Sequence, residues 1–177
     1  MKFRAAMALL IAMLMLAGGS CVAQEKKADA PVMEGILKPA DLENKLLPDK
    51  VFFRGQVASV QVRNSGGVRY SDGFLVMATL VDNSGYSSGI KEKYQAYFIS
   101  EVPLQMGGQT LRPGAYGVGF VGNKFVVMDI AANDVFSADA VKDGDLKRPM
   151  PLQVVAMDGG KYRLYKGRDY VEFSRGK

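Results

Sequence analysis

From Val51 onward the chain is cut at intervals of about 8–12 residues by turn clusters of Gly, Asn, Asp and Ser, a spacing that leaves room for short strands and very little for packed helices. Between the cuts the period is two. Ala58, Val60 and Val62 alternate with Ser59, Gln61 and Arg63, the pattern of a strand with one dry and one wet face. Asn64-Ser65-Gly66-Gly67 reads as a turn, with the next strand starting at Val68 to Tyr70 and broken by Ser71-Asp72-Gly73. Phe74 to Val81 is an apolar run too short for a helix and suited to a central strand. Ser87 to Ile99 carries both periods, and we read it as a turn or short helix followed by a strand from about Tyr94 to Leu104. Tight loops are expected at Gly107-Gly108, Gly122-Asn123, Asp158-Gly159-Gly160 and Gly167-Arg168, the second of them leading into a strand from Lys124 to Ala131. The sum is a mainly β fold: a single antiparallel β-sandwich or small barrel of about 8–10 short strands over residues 50–177.

The segment Leu104-Gln105-Met106-Gly107-Gly108-Gln109-Thr110-Leu111-Arg112-Pro113-Gly114-Ala115-Tyr116 resembles a hairpin found in secreted bacterial β-domains of uncharacterised function. In those, a strand, a turn and a Leu-x-Pro/Ala-Gly-x-Tyr step lead into the following strand. The resemblance spans residues 104–120. It implies a fold type and an exported habitat, and it carries over no catalytic residue.

Residues 1–23 point the same way. Lys2 and Arg4 precede an apolar run from Ala5 to Ala17, followed by Gly18, Gly19 and Ser20, which is the order of a secretory signal peptide. A membrane-spanning helix needs roughly 20 apolar residues, more than this run supplies. Cleavage after Ala23 would leave Gln24 as the new terminus; lipidation of Cys21 behind the Gly19-Ser20 box is the alternative, and both stay open. Residues 24–49 read as a polar tether punctuated by Pro31, Pro39 and Pro48, with one short helix around Leu42, Leu46 and Leu47. The expected location is the periplasm or the extracellular space, with a membrane contact only through a lipid at Cys21.

What the chain lacks limits its chemistry. It contains no His and a single Cys, so triads built on imidazole, His-ligated metals, thiolate metal sites and intrachain disulfides are excluded. No cofactor and no metal are expected. Its net charge of +5 lies on scattered Lys and Arg, many after Val141, with acids between them, and they form no run that would favour nucleic acid. Gly85-Tyr86-Ser87-Ser88-Gly89 spells a nucleophile elbow, but no imidazole exists to take the serine proton. Ser88 and Lys91 have the spacing of a His-free Ser/Lys pair on one helical face, which keeps a small hydrolase as the rival reading, along with a carboxylate pair drawn from Asp72, Asp82, Asp129 and Asp134. Asp139, Asp143 and Asp145 are oxygen-rich but lack the order of a calcium loop.

We therefore expect a monomeric envelope domain, non-enzymatic, binding a small ligand or an envelope component or serving a structural role. The place to look is the strand Ala115 to Gly122. Tyr116, Val118 and Phe120 should point one way and Gly117 and Gly119 the other, and bare backbone inside a strand marks a close approach. Either an aromatic ring from Phe125, Tyr162, Tyr165 or Tyr170 covers it, or a ligand does, held by such rings and by Arg112 or Arg163.

Overall fold

The structure is a computed structural model that describes residues 34–43 and 46–177. The signal segment 1–23, Cys21 and the tether as far as residue 33 lie outside the described residues. The chain runs through β1 (Gly35–Leu37), α1 (Pro39–Leu42), β2 (Lys50–Phe53), β3 (Gln56–Arg69), β4 (Leu75–Val81), α2 (Ser88–Lys93) and β5 (Ala96–Ser100). It continues through β6 (Leu104–Met106), β7 (Gln109–Leu111), β8 (Gly114–Val121), β9 (Lys124–Met128), β10 (Asp134–Asp139) and β11 (Val141–Lys142). β12 (Met150–Met157), β13 (Lys161–Gly167) and β14 (Asp169–Arg175) complete it.

These strands form two antiparallel sheets that do not close into a barrel. The first has the order β1-β3-β4-β5-β8-β9-β10, with β2 paired to β3; the second has the order β12-β13-β14-β6-β7, with β11 on β14. The expected mainly β sandwich is what the chain adopts, with more and shorter strands than the turn count suggested. The tight loops fall where they were read: Gly107 and Gly108 both have positive φ between Met106 and Gln109, and Gly122, Gly159, Gly160 and Gly167 do the same work at theirs. The Leu111-to-Tyr116 step is where the chain crosses from the second sheet to the first. There the Tyr116 hydroxyl donates to the Arg112 carbonyl at 2.9 Å and pins the crossing.

The main core lies between the sheets. Val68, Val76, Phe98, Val118, Phe125 and Val127 from the first meet Leu104, Leu152, Leu164, Val171 and Phe173 from the second, with Phe98 edge-on to Phe173 at 6.4 Å between centroids. A cross-sheet staple closes one rim: Arg175 of β14 pairs with Asp72 at 2.6 Å and lies over the Tyr70 ring.

The outer face of the first sheet is buried as well, which explains the unbroken apolar run of β4. Val76 and Ala78 enter the core between the sheets, while Leu75 and Met77 pack under α1 against Leu37, Leu42 and Leu47. This corrects the tether: from Gly35 it is part of the fold, because Ile36 pairs with Val68 and Leu42 is fully buried. Pro39 does open a helix there, and the Asp41 carboxylate accepts from the Lys38 N–H at 2.8 Å. The Asn64-Ser65-Gly66-Gly67 turn is also corrected. β3 passes straight through it, with a register shift between Gln61 and Ser65, and the glycines are there for clearance. A β-carbon on Gly66 would lie 3.0 Å from the Val154 backbone nitrogen of β12, and one on Gly67 would lie 3.3 Å from Met77 Cα of β4. The strand expected to reach Ala131 ends at Met128, since Asp129 turns the chain.

Gly66→Val should therefore destabilise the domain by about 1–3 kcal/mol in urea unfolding, through overpacking against β12. Gly35→Ala, with nothing among the described residues within 4 Å of the added carbon, should stay within about 0.5 kcal/mol of the parent. Equal midpoints for the two variants would show that β12 does not press on Gly66.

Candidate functional site

β8 presents its faces as expected, with Tyr116, Val118 and Phe120 toward the core between the sheets. The bare face is covered from within the chain, by rings other than those anticipated. A β-carbon on Gly117 would come within 2.6 Å of Phe53 Cζ and 2.9 Å of Tyr94 Cδ2. Phe53 and Tyr94 stack at 3.9 Å between centroids and 15° between planes, with Tyr86 edge-on to both. Gly119 lies under the main chain of α2, where an added carbon would strike the Lys93 carbonyl oxygen and sit 2.9 Å from its carbon.

The other anticipated ligand residues are not brought to this face, although Arg163, Tyr165 and Tyr170 meet one another on the second sheet. Phe125 and Tyr162 belong to the core between the sheets, while Tyr165 and Tyr170 pair side by side within the second sheet. Arg163 lies over Tyr170 at 4.2 Å and donates to the Tyr165 hydroxyl at 3.4 Å, and Arg112 gives its carbonyl to Tyr116. Cys21 lies outside the described residues.

Of the catalytic candidates, Ser88 and Lys91 both sit on α2, both exposed, and share no hydrogen bond among the described residues. The aspartates have local duties. Asp129 accepts from the Asn133 side chain and from the Asn133 and Ala131 N–H groups, Asp82 from the Ser84 N–H, and Asp72 holds Arg175. Asp143 accepts the Tyr165 hydroxyl at 2.8 Å, and Asp139 pairs with Lys124. Each donor holds its carboxylate (Asp72, Asp82, Asp129, Asp143) below the usual range. These groups thus support the fold at neutral pH, and that support is lost as the pH falls through their lowered values. Among the described residues, no group of three or more acids is placed to hold a metal ion.

Beside the covered glycines there is open space. A cavity of about 340 Å³ lies on the outer face of the first sheet beside Gly119, over Val126 and the Val121–Lys124 pair. Val121, Val126, Val135 and Phe136 supply its apolar lining, and Lys93, Lys124, Asp134 and Ser137 its polar lining. Lys93 Nζ donates to both Asp134 oxygens, at 2.7 and 2.9 Å, and Lys124 holds Asp139 at 2.6 Å. Two side-chain amides fix α2 above the sheet. Gln95 donates to the Glu92 and Phe120 carbonyls at 2.7 and 2.9 Å while accepting from the Phe120 N–H at 3.0 Å, and Asn83 donates to the Lys91 carbonyl at 3.0 Å. A register shift between Asp134 and Phe136 leaves Val135 exposed at the mouth. Sequence reading missed this site, although it held a signal: after Lys124, β9 shows no polar alternation, so its outer face could not be simply solvated.

A second cavity, of about 260 Å³, lies at the seam between β1 and β12, lined by Ile36 to Pro39, Ser65, Gly66 and Met150 with Leu152 to Val154.

No protein-family model, no curated protein and no solved structure matches this chain.

Tyr94 carries an unusual feature for a site support: its hydroxyl is buried without a hydrogen-bond partner among the described residues, and burial pushes its pKa well up. Tyr94→Phe should keep the stack on Phe53 and raise stability by about 1 kcal/mol, because it removes a desolvated, unpaired group. A loss of stability in thermal or urea unfolding would mean that the hydroxyl has a partner.

Proposed function

We propose that this chain is an exported, non-catalytic binding domain of the cell envelope, and that its ligand is a small amphipathic acid held in the cavity beneath Lys93 and Lys124. The observation that carries the reading is the cavity's division of labour. Val121, Val126 and Val135 offer an apolar bed, and two ammonium groups stand at its edge, each satisfied by an aspartate that a ligand carboxylate can replace. The Lys93–Asp134 pair is largely exposed, so exchanging Asp134 for a ligand carboxylate keeps the ammonium paired at little cost.

Export is supported by the signal-like order of residues 1–23, the absence of thiols after Cys21 and the resemblance of residues 104–120 to secreted β-domains. The hydrolase alternative has little to stand on. Ser88 and Lys91 are exposed on a short helix, outside the lining of the cavity, and the aspartates proposed as pairs are bound to separate donors.

Octanoate suits the bed in size and head group and serves as the probe. Titrated into the exported chain, it should shift the amide resonances of residues 121–126 and 134–137. Val126→Trp fills the bed from a half-buried position on the outer face and should abolish the shifts in a chain that still shows a folded amide spectrum. Lys93→Met should weaken binding about tenfold, the scale of one lost charge-assisted hydrogen bond. Shifts that persist in Val126→Trp, or that never appear in the parent, would remove the cavity as the site.

A further inference from the structure

The end of the molecule formed by the β2–β3 hairpin has features that neither packing nor the cavity explains. Phe52 and Val57 are the two most exposed large apolar side chains among the described residues, at 56% and 62%, and they face each other directly across the hairpin. Their loop is Arg54-Gly55, both left-handed, with φ of +48° and +76°. Arginine is a costly choice at such a position, where Asn or Gly would relax the backbone. The Arg54 N–H donates to the Ile130 carbonyl at 2.7 Å, which ties the hairpin to the 129–133 loop. Ile130 is itself 48% exposed, and two residues on, Ala132 has φ of +68°. Among the described residues, Arg54 and Ala132 are the only non-glycine positions with left-handed backbone, and one hydrogen bond joins their loops. Strain gathered in one place, beside exposed apolar groups, points to a functional surface.

The tip is held rigidly. Tyr86 donates its hydroxyl to the Phe53 and Gln56 carbonyls at 3.0 and 3.2 Å, closing the base of the hairpin, and Phe53 is locked in its stack on Tyr94. Its apex is positive, with the exposed Asp49 at its base. Lys50, on the same face of β2 as Phe52, and Arg54 are both exposed, and neither has a carboxylate within 4.0 Å among the described residues. Asp129 is near, but its oxygens are engaged by its own loop, and the neighbouring Asp49 makes no ion pair with Lys50.

We infer that this tip is a membrane-contacting surface, with Phe52, Val57 and Ile130 entering the interface of an anionic phospholipid bilayer and Lys50 and Arg54 meeting its phosphates. Apolar side chains on a rigid loop enter the acyl boundary, while long cationic side chains keep their heads at the phosphate level. The keeping of Arg54 at a strained turn position then has a reason: it places a guanidinium at the apex. This surface is separate from the cavity under Lys93, so the two readings stand or fall independently.

The test uses the exported chain with Cys21→Ala, so that no acyl chain contributes, sedimented with vesicles of phosphatidylethanolamine and phosphatidylglycerol or of phosphatidylcholine alone. The parent should co-sediment with the anionic vesicles, less so at high salt and much less with phosphatidylcholine. Phe52→Ser combined with Val57→Thr, both at exposed strand positions, should lower the partition at least tenfold with an unchanged far-ultraviolet spectrum. Arg54→Asn keeps the left-handed turn and should lower partition about fivefold, the worth of one cation near such a surface, while the thermal midpoint holds or rises. Should the double variant fail to fold, Arg54→Asn decides alone. Absence of vesicle binding by the parent, or unchanged binding by the variants, overturns the inference. So does light scattering that shows a parent dimer lost in the double variant without vesicle binding, since a second copy would then be the partner.

Discussion

The stack of Phe53 and Tyr94 on the bare backbone of Gly117 is the contact on which the outer half of this domain depends. A sheet of this kind can leave one face to water, and here it does not. The β2–β3 hairpin folds back so that Phe53 reaches the middle strands, and α2 brings Tyr94 to meet it. Both need a surface with no side chain in the way, which β8 supplies with Gly117 for the ring and Gly119 for the Lys93 carbonyl. Gly66 and Gly67 do the same at the opposite end, where β12 and β4 press against β3. In each case the entropic cost of glycine in a strand is offset by an approach that any β-carbon would block.

That covering layer positions both surfaces proposed for function. With α2 seated on Gly119, Lys93 hangs over the outer face of β9, and the space between it and the β10 irregularity becomes the cavity. With Phe53 fixed inward, Phe52 is forced outward by the alternation of the strand, next to Val57. The exposed tip is thus the other side of the same packing. Its strained turn residues are affordable because Tyr86 and the Ile130 carbonyl hold the loop from below.

Much of the fold was legible in the sequence because its signals are local. The glycines of the tight loops, the central strand within Phe74 to Val81 and the helix-then-strand order after Ser87 each follow from residues within one turn or one strand. The bare face of β8 was legible too, yet the rings that fill it were not, because Phe53 and Tyr94 reach it through tertiary contacts that periodicity does not encode. The same holds for Asn64 to Gly67, where turn-forming residues sit in a through-going strand because of what packs on them, and for Gly35 to Leu37, a strand within a segment whose polar composition reads as a tether. The cavity depends on which strands become neighbours, and only the unexplained apolar outer positions of β9 hinted at it.

The central claim, that glycine at position 117 exists to admit the Phe53 ring, is tested most directly by a double-mutant cycle in urea unfolding between Gly117→Ala and Phe53→Leu, the latter removing the ring atoms that an added carbon would meet. In the parent, Gly117→Ala should cost about 1–3 kcal/mol by overpacking. In the Phe53→Leu background most of that cost should vanish, leaving a coupling of about 1 kcal/mol or more. Costs that simply add, with Gly117→Ala equally damaging in both backgrounds, would contradict the claim.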